Sequence, residues 1–301
     1  MKHFLDISQL THDEITALIK RAIYFKNNSK HPHYPQCNVV TMFYENSTRT
    51  RVSFELAAKN LSMAVVNLDL QSSSESKGEV IEDTIKTLSA MGIKLFIIRH
   101  VQDGLPQKLS TVGDDLHIIN AGDGMHAHPS QAMLDVMTIM EKKPDLSRLK
   151  IAIVGNIRHS RVANSLQCIF AKLGVGELTL VAPNLWQPTS VHYGRVTASL
   201  RDGLVDADVV ICLRVQSERL LVSEHMDLAS YRRDYALTCD SLAFAKKDAI
   251  VMHPGPINRE IEIDSDVADG PQSHILQQVC NGVFMRMAIL ESLYLGSVNR
   301  S

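Results

Sequence analysis

Short apolar runs alternate along the chain with longer runs in which apolar residues recur every three or four positions. The short runs are rich in valine, isoleucine and leucine and predict strands, whereas the longer runs predict amphipathic helices. The predicted strands cover residues 38–44, 64–70, 95–99, 116–120, 150–155, 177–181, 207–213 and 249–253. The predicted helices cover residues 51–61, 79–91, 130–142, 161–173 and 273–295, the last interrupted near Gly282. This alternation predicts an α/β fold.

A charged stretch separates two such α/β units. Residues 142–148 read Lys-Lys-Pro-Asp-Leu-Ser-Arg, and Pro144 cannot continue a helix. The length of 301 residues points the same way, because single hydrophobic cores stop growing near about 250 residues. We therefore predict two α/β domains, with 142–148 as the boundary that the residues themselves favour.

Composition excludes several classes of protein. Apolar residues make up 45% of the chain and charged residues 21%, which is typical of a globular protein and excludes wholesale disorder. The 31 basic and 33 acidic residues leave no cationic excess for binding nucleic acid. No apolar stretch approaches the roughly 18 residues of a membrane helix, and the first residues lack the apolar block of a signal peptide. The five cysteines form no CxxC pair, which favours a reducing cytoplasm over a disulfide framework.

Hydroxyl and basic residues lie where the first predicted strand ends and the first helix starts. Residues 43–51 read Phe-Tyr-Glu-Asn-Ser-Thr-Arg-Thr-Arg. A helix N-terminus offers free N–H groups and a partial positive charge, and Arg49 adds a planar fork that suits phosphate. The alternative is a plain N-cap by Ser47 with two surface arginines, but a cap alone does not need hydroxyls at 47, 48 and 50. The segment therefore predicts a phosphate site.

Further polar segments follow the other predicted strands. They are the loop 72–79 with Lys77, the pair Arg99-His100, the segment 122–131, the segment 155–161 that ends on Arg161, the segment 213–216, and the stiff turn His253-Pro254-Gly255-Pro256. Carboxyl ends of parallel strands line the ligand crevice of open α/β sheets, so these positions favour binding. Taken singly, the loop 72–79 is typical of a solvated linker and the turn of a rigid loop.

Two histidines in the segment 122–131 form an HxH pair. His126 and His128 could bind a metal, but a catalytic metal needs a third ligand, and the chain carries no HExxH motif. We therefore expect no metal and interpret His128 as a donor to a substrate oxygen, with Gln131 one helical turn on. The alternative is a buried histidine that is satisfied by backbone groups. Since G-x-G-x-x-G and P-loop motifs are also missing, we expect no nucleotide cofactor.

Positive charge is concentrated at these strand ends in a nearly neutral chain. The cations are Arg49, Lys77, Arg99, Arg161 and Arg214. They predict a pair of substrates that carries a phosphate and one or two carboxylates. Because no Ser-His-Asp set or cysteine nucleophile is visible, we predict direct transfer between two bound substrates.

Seven motifs in this order resemble the catalytic chains of the aspartate carbamoyltransferases, within the aspartate/ornithine carbamoyltransferase superfamily. They are STRTR at 47–51, S-x-x-x-KGE at 73–79, RH at 99–100, HPSQ at 128–131, Arg161, RVQ at 214–216 and HPGP at 253–256. The resemblance covers essentially the whole chain. It implies two doubly wound parallel-sheet domains with the active site in the cleft between them. It further implies that 1–133 with 275–301 binds carbamoyl phosphate and that 134–274 binds aspartate.

The resemblance implies transfer of the carbamoyl group of carbamoyl phosphate to L-aspartate, which gives N-carbamoyl-L-aspartate and phosphate for de novo pyrimidine biosynthesis. It assigns carbamoyl phosphate to Ser47, Thr48, Arg49, Thr50, Ser73, Arg99, His128, Gln131, Pro254, Gly255 and Pro256. It assigns aspartate to Lys77, Arg161, Arg214 and Gln216. The catalytic group is Arg49, Thr50, Lys77, Arg99 and His128. In the family the equivalents of Ser73 and Lys77 come from a neighbouring subunit, which implies a homotrimer with shared sites.

Two alternatives stay open beside this interpretation. An ornithine-type or other transcarbamylase shares the phosphate loop, but the ornithine enzymes carry His-Cys-Leu-Pro at 253–256 and lack the lysine of the KGE loop. Arg161 and Arg214, which are interpreted as carboxylate ligands, and Lys77 suit aspartate better than ornithine. The second alternative is a homologous subunit without catalysis.

The sequence departs from the resembled family in few places. The HPGP form is that of the branch that often associates with dihydroorotase or a dihydroorotase-like chain, which makes such a chain a candidate partner. Relatives commonly continue as INRG, whereas Glu260 stands here in place of the glycine. We expect this difference to affect the loop's conformation and aspartate affinity. The segment 221–240 corresponds to a mobile loop on the aspartate side.

Overall fold

Two compact units make up the protein. The computed structural model describes residues 1–68, 78–216 and 224–298. The first unit comprises Met1–Leu134 with Cys280–Ser301, and the second comprises Asp135–Val279. Each unit has one parallel sheet, so the predicted pair of parallel-sheet α/β domains is confirmed. The division between the units lies within a helix, ahead of the polar stretch 142–148.

The first unit holds a four-stranded sheet with strand order β2-β1-β3-β4. Its elements are α1 (His12–Asn27), β1 (Asn38–Phe43), α2 (Thr48–Asn60), β2 (Ala64–Asn67), α3 (Ile81–Ala90), β3 (Leu95–His100), α4 (Leu105–Leu109), β4 (His117–Asp123) and α5 (Pro129–Lys142). The last of these helices crosses the division between the units. Strands β1, β3 and β4 are buried along most of their length, as their apolar sequences require, while the edge strand β2 is mostly exposed.

The second unit holds a five-stranded sheet with strand order β7-β6-β5-β8-β9. Its elements are β5 (Lys150–Val154), α6 (Arg161–Leu173), β6 (Glu177–Val181), β7 (Arg195–Thr197), α7 (Leu200–Leu204), β8 (Val209–Cys212), α8 (Leu228–Tyr235), α9 (Cys239–Leu242), β9 (Ile250–Met252) and α10 (Ser265–Ala268). Helix α6 has the predicted bounds and ends at Gly174, whose φ of 66° suits the residue that closes a helix.

The C-terminal helix α11 (Ile275–Val298) runs without a break, so the predicted interruption near Gly282 is wrong. The glycine has a packing reason instead. A Cβ atom at this position would lie 2.6 Å from Nη1 of Arg286, and that group donates to the Gly282 carbonyl at 3.2 Å. Arg286 is buried with its guanidinium 4.9 Å from the Phe54 ring centroid. Across residues 1–68, 78–216 and 224–298, the helices lack the combined length and apolar character needed to span a bilayer.

A buried carboxylate on α11 holds α1 in the first unit. Glu291 accepts from Nε and Nη2 of Arg21 at 2.6 and 2.7 Å, and from the Tyr34 hydroxyl at 2.7 Å. The hydrogen bond to Glu291 raises the pKa of Arg21. Burial, followed by the bond to Glu291, raises the pKa of Tyr34 to about 12. The cluster therefore depends on an ionised carboxylate that receives three donors.

Replacing Glu291 by glutamine tests this cluster. The amide keeps one acceptor oxygen, so part of the Arg21 fork loses its partner, and we expect a loss of about 1.5–3 kcal/mol in the free energy of unfolding. Urea titration at pH 7 measures it. The matched control is Asp114→Asn, since Asp114 is fully exposed and lies 3.8 Å from Lys2. Equal losses in the two variants would contradict the proposed role of Glu291.

Candidate functional site

The strand ends of the first sheet bring one group of predicted residues together. Strands β1, β3 and β4 are parallel, with Phe43 beside Arg99 and His100 beside Asp123. Their carboxyl ends therefore share one edge. At this edge lie the predicted phosphate and carbonyl ligands of the first unit, namely Ser47, Thr48, Arg49, Thr50, Arg99, His128 and Gln131.

Helix α2 begins at this edge without a side-chain cap. Ser47 occupies the N-cap position in extended conformation, but within the described chain its hydroxyl accepts no bond from the first turn. The first turn reads Thr48-Arg49-Thr50 and carries no acid. Thr48 and Arg49 are exposed, whereas Thr50 is buried. The plain cap considered from the sequence is thus wrong, and the helix terminus is suited to an anion.

Arg99 is held beside this terminus by an acid that sequence reasoning missed. Its Nη2 lies 3.1 Å from Oε2 of Glu45, and its Nη1 donates to the Ala121 carbonyl at 3.2 Å. Arg99 is only 8% exposed, so its charge needs this compensation. Glu45 belongs to the segment 43–51, but its contact depends on the pairing of β1 with β3. An anion that binds Arg99 competes with Glu45 for the guanidinium.

The turn that leads into α5 is organised around Asp123. This buried carboxylate accepts from Asn120 Nδ2 at 2.9 Å, Gly104 N at 2.7 Å, Ala127 N at 3.1 Å and His126 Nδ1 at 2.9 Å. These four bonds fix the path of the chain immediately before His128 and Gln131, which are both buried. His126 is therefore a partner of Asp123.

No metal centre accompanies the HxH pair in the part of the chain that the structure describes. There, His, Cys, Asp and Glu side chains do not gather in groups of three or more suited to a metal ion. His126 instead binds Asp123 and lies 3.8 Å from Asp6. His128 begins the segment that enters α5, and the amides of Gln131 and Ala132 donate to its carbonyl.

The strand ends of the second sheet bring the other group together. Strands β5, β8 and β9 are parallel, with Val154 beside Cys212 and Ile211 beside Met252. The segments that follow them carry the remaining predicted ligands, which are Arg161, Arg214, Gln216, Pro254, Gly255 and Pro256. Arg161 is buried, whereas Arg214 and Gln216 are half-buried.

A glycine allows two of these segments to approach closely. Gly155 follows β5 with a φ of 137°, and a Cβ atom there would lie 2.9 Å from the carbonyl oxygen of Leu213. Only glycine fits both the backbone angle and the contact. The turn into α6, on which Arg161 stands, is thus packed against the segment that carries Arg214.

The turn at 253–256 is fixed by the imidazole of His253. Its Nδ1 accepts from Gly255 N at 2.8 Å, and its Nε2 lies 3.2 Å from Oε1 of Glu262. Since an amide can only donate, Nδ1 is the acceptor and Nε2 carries the proton. The Gly255–Pro256 peptide is cis. The turn therefore has a defined geometry set by a neutral histidine.

The buried acid Glu224 contacts the segment that follows β5. Its Oε2 lies 3.2 Å from His159 Nε2, and its carbonyl accepts from Trp186 Nε1 at 2.9 Å. Asn156 accepts from Nδ1 of the same histidine at 2.8 Å. Trp186 packs on the buried Tyr231 of α8 with ring centroids 5.2 Å apart. The predicted loop 221–240 therefore contains ordered helix over much of its described part.

Glu260 adopts the left-handed conformation that the usual glycine would allow. Its φ is 61°, a region that costs other residues about 1–2 kcal/mol. Its carboxylate accepts from Ser265 N at 3.0 Å and lies 3.4 Å from Nη2 of Arg232. The glutamate that replaces the usual glycine therefore gives this loop a side chain that contacts α8 and the start of α10.

The predicted residues fall into two groups, one at the edge of each sheet. Ser73 and Lys77 lie outside the described residues. The acids Glu45, Asp123, Glu224 and Glu262 were not among the predicted residues. The sequence around Glu262 carried no signal of its burial, since Glu260, Glu262 and Asp264 alternate with two isoleucines.

Family models match both parts of the chain. Residues 2–141 match the carbamoyl-P binding domain of aspartate/ornithine carbamoyltransferase, and residues 147–293 match its Asp/Orn binding domain. An aspartate carbamoyltransferase catalytic subunit of Legionella pneumophila is 66% identical over 294 residues, which cover 97% of this chain and 99% of that relative. One of Coxiella burnetii is 48% identical, with coverage of 96% and 95%.

Solved structures show the same fold. Aspartate transcarbamoylase of Trypanosoma cruzi, in complex with carbamoyl aspartate and phosphate, has a TM-score of 0.89 at 28% identity, with 97% and 96% of the chains covered. Ornithine carbamoyltransferase of Pyrococcus furiosus has a TM-score of 0.85 at 26% identity, with 96% of each chain covered. The fold is therefore similar to the folds of enzymes named for aspartate and of enzymes named for ornithine, and it does not distinguish the two.

The pairing of His126 with Asp123 gives a pH dependence of stability. The bond to Asp123 raises the pKa of His126, and this donor, with those from Asn120 and Gly104, lowers the pKa of Asp123 against the effect of burial. A raised histidine pKa stabilises the fold below the unfolded value of about 6.5 and loses that contribution as the pH rises through the folded value. We expect the difference in unfolding free energy between the wild type and His126→Gln to shrink as the pH rises above about 6.5. Urea titrations across this range measure it, and a constant difference would refute the pairing.

Proposed function

Because this chain belongs to the aspartate/ornithine carbamoyltransferase family, we propose that it transfers the carbamoyl group of carbamoyl phosphate to L-aspartate. The products are N-carbamoyl-L-aspartate and phosphate, in de novo pyrimidine biosynthesis. The observation that carries the proposal is the uncapped N-terminus of α2 beside Arg99, a site built for a phosphate group. The identity of 66% to an aspartate carbamoyltransferase catalytic subunit selects the aspartate branch.

In this proposal the first edge binds carbamoyl phosphate. Residues 47–50 and Arg99 hold the phosphate, with Ser73 from outside the described residues. Thr50, Arg99 and His128 donate to the carbonyl oxygen as it gains negative charge, and each such donor is typically worth about 3–4 kcal/mol. Gln131 and the carbonyls of Pro254, Gly255 and Pro256 hold the carbamoyl nitrogen.

The second edge binds the amino acid in this proposal. Arg161, Arg214 and Gln216 receive the two carboxylates of aspartate, and Lys77 joins them. The domain of residues 134–274 then serves aspartate, and the domain of 1–133 with 275–301 serves carbamoyl phosphate. Two arginines suit a dicarboxylate, whereas ornithine offers one carboxylate and a cationic amine.

The reaction needs no covalent intermediate between a substrate and the enzyme. The aspartate amine attacks the carbamoyl carbon, a C–N bond forms, and the C–O bond to phosphate breaks. The departing phosphate takes the amine proton. Holding the two substrates in attack geometry can supply up to about 7–11 kcal/mol of the barrier. Metals and other cofactors have no part in this scheme.

The proposed assembly is a cytoplasmic homotrimer in which Ser73 and Lys77 reach a neighbouring subunit's site. A dihydroorotase or dihydroorotase-like chain is the proposed further partner, on the strength of the HPGP form of the 253–256 turn.

The choice of amino acid tests the activity directly. With carbamoyl phosphate present, we expect product formation to saturate with aspartate and to be undetectable with ornithine. Arg161→Ala removes a charge-assisted contact worth about 1.5–3 kcal/mol, so kcat/KM for aspartate falls about 10- to 150-fold. Colorimetric assay of the ureido product measures both. Saturation by ornithine supports the ornithine alternative, and no product from either amino acid supports the subunit without catalysis.

Shared sites can be tested by mixing two inactive variants. Arg49→Ala and Lys77→Ala each disable a different chain's contribution to a site, so random reassembly of equal amounts restores about a quarter of all sites. Activity is assayed after the mixture is dissociated and reassembled. The matched control mixes Arg49→Ala with Arg99→Ala, because both residues come from one chain and no native site can form. Equal activities in the two mixtures would place each site within one chain.

A further inference from the structure

A buried carboxylate joins the two strand-end segments of the second unit. Glu262 is 1% exposed and follows the turn at 253–256 in sequence. Its Oε1 accepts from Asn258 N at 2.6 Å and from His253 Nε2 at 3.2 Å. Its Oε2 accepts from Val215 N at 3.4 Å. One side chain thus contacts both the segment after β8 and the segment after β9.

The contact with Val215 fixes two proposed ligands at once. Val215 lies between Arg214 and Gln216, and its side chain is buried. Its N–H donates to Glu262, and its carbonyl accepts from Asn258 Nδ2 at 3.2 Å. Both main-chain polar groups of Val215 are therefore held by the same loop, and the peptide links on either side of Val215 have a defined direction.

The contact with His253 fixes the neighbouring turn. The imidazole donates to Glu262 through Nε2 and accepts from Gly255 through Nδ1, so its orientation sets the path of the Pro254–Pro256 backbone. The backbone N–H of His253 donates to Gln278 Oε1 at 3.1 Å. Displacement of the Glu262 carboxylate would therefore release the histidine and the turn together.

Three donors converge on the two oxygens of one side chain. An ionised carboxylate accepts at both oxygens, whereas glutamine offers a single acceptor oxygen and an NH₂ group that can only donate. If glutamine replaced Glu262, its NH₂ group would point at one or more of these buried N–H groups, and two donors would then face each other. The site therefore requires the charge of Glu262 and not only its size.

We propose that Glu262 is a positioning residue that aligns the aspartate ligands Arg214 and Gln216 with the Pro254–Pro256 turn that holds the carbamoyl nitrogen. The inference rests on the proposed function, since the roles of these ligands belong to it. Misplacement of a positioned group by about 1 Å can cost about a hundredfold in rate, so a residue that touches no substrate can set the affinity for the acceptor.

The chain offers a matched control for a merely structural role. Asp208 is 5% exposed and precedes β8, at the opposite end of the strand from Arg214. It accepts from Lys150 N at 3.0 Å and Lys246 Nζ at 2.8 Å. It is thus a buried acid in the same unit that stabilises the sheet away from the proposed ligands.

Kinetics of Glu262→Gln and Asp208→Asn, measured well below both melting temperatures, test the proposal. For Glu262→Gln we expect the KM for aspartate to rise about tenfold or more, and the KM for carbamoyl phosphate to rise as well, because the Pro254–Pro256 turn loses the same support. For Asp208→Asn we expect both KM values within about twofold of the wild type and only a lower melting temperature. Unchanged aspartate KM in Glu262→Gln, or the same change in Asp208→Asn, would overturn the proposal.

A milder variant keeps the test decisive if Glu262→Gln does not fold. Asn258→Ala removes only the donor to the Val215 carbonyl, and we expect the KM for aspartate to rise about threefold or more. An unchanged value there would also overturn the proposal. A wild-type enzyme that makes no product from aspartate would instead reject the proposed function, so the two failures are distinguishable.

Discussion

Parallel pairing of buried strands is the constraint on which the rest of this structure depends. Strands such as β3 and β8 are apolar on both faces, so they can lie only inside a sheet that is covered on both sides. Parallel order then places every carboxyl end at the same edge. Residues far apart in the chain, such as Thr50 and His128, lie at one edge because they follow strands of the same sheet. The charged residues of the edge therefore stand at the last positions of these strands, as Arg99 and Asp123 do, or in the segments that follow them.

Burial at these edges forces each charge or imidazole to have an internal partner. Arg99 has Glu45, His159 has Glu224, and His253 has Glu262. A buried charge without compensation is costly, so these acids are needed for the fold as well as for the arrangement of the edge. The partners also hold the cations in fixed positions before any ligand arrives, which reduces the ordering that binding would otherwise require.

The sequence predicted the elements whose signal is a long apolar run. Each predicted strand has an observed counterpart, and α6 has its predicted bounds, because burial of apolar faces decides these elements. The short exposed strand β7 gave no such signal. Helix α1, which begins with a capping box of Thr11 and Glu14, was not among the predicted helices. Gly282 was misinterpreted because its neighbour Arg286 folds back on it, which the order of residues does not reveal.

The site was predictable to a similar extent and for similar reasons. Ligand positions such as Arg161 and Arg214 follow from the strand that precedes them, so their placement at an edge could be foreseen. Their supporting acids could not, because the contacts of Glu45 and Glu262 depend on the three-dimensional path of loops. Lys77, which the resemblance placed in the site, lies outside the described residues.

Glu260 carries a consequence for how such a sequence can change. A glutamate in left-handed conformation pays a backbone cost, which the contacts of its carboxylate with the Ser265 amide and with Arg232 offset in part. A glycine at this position would relieve the backbone but would leave Arg232 without one of its two acidic neighbours, Glu260 and Asp264. The effect of a substitution at position 260 therefore depends on which residue stands at position 232.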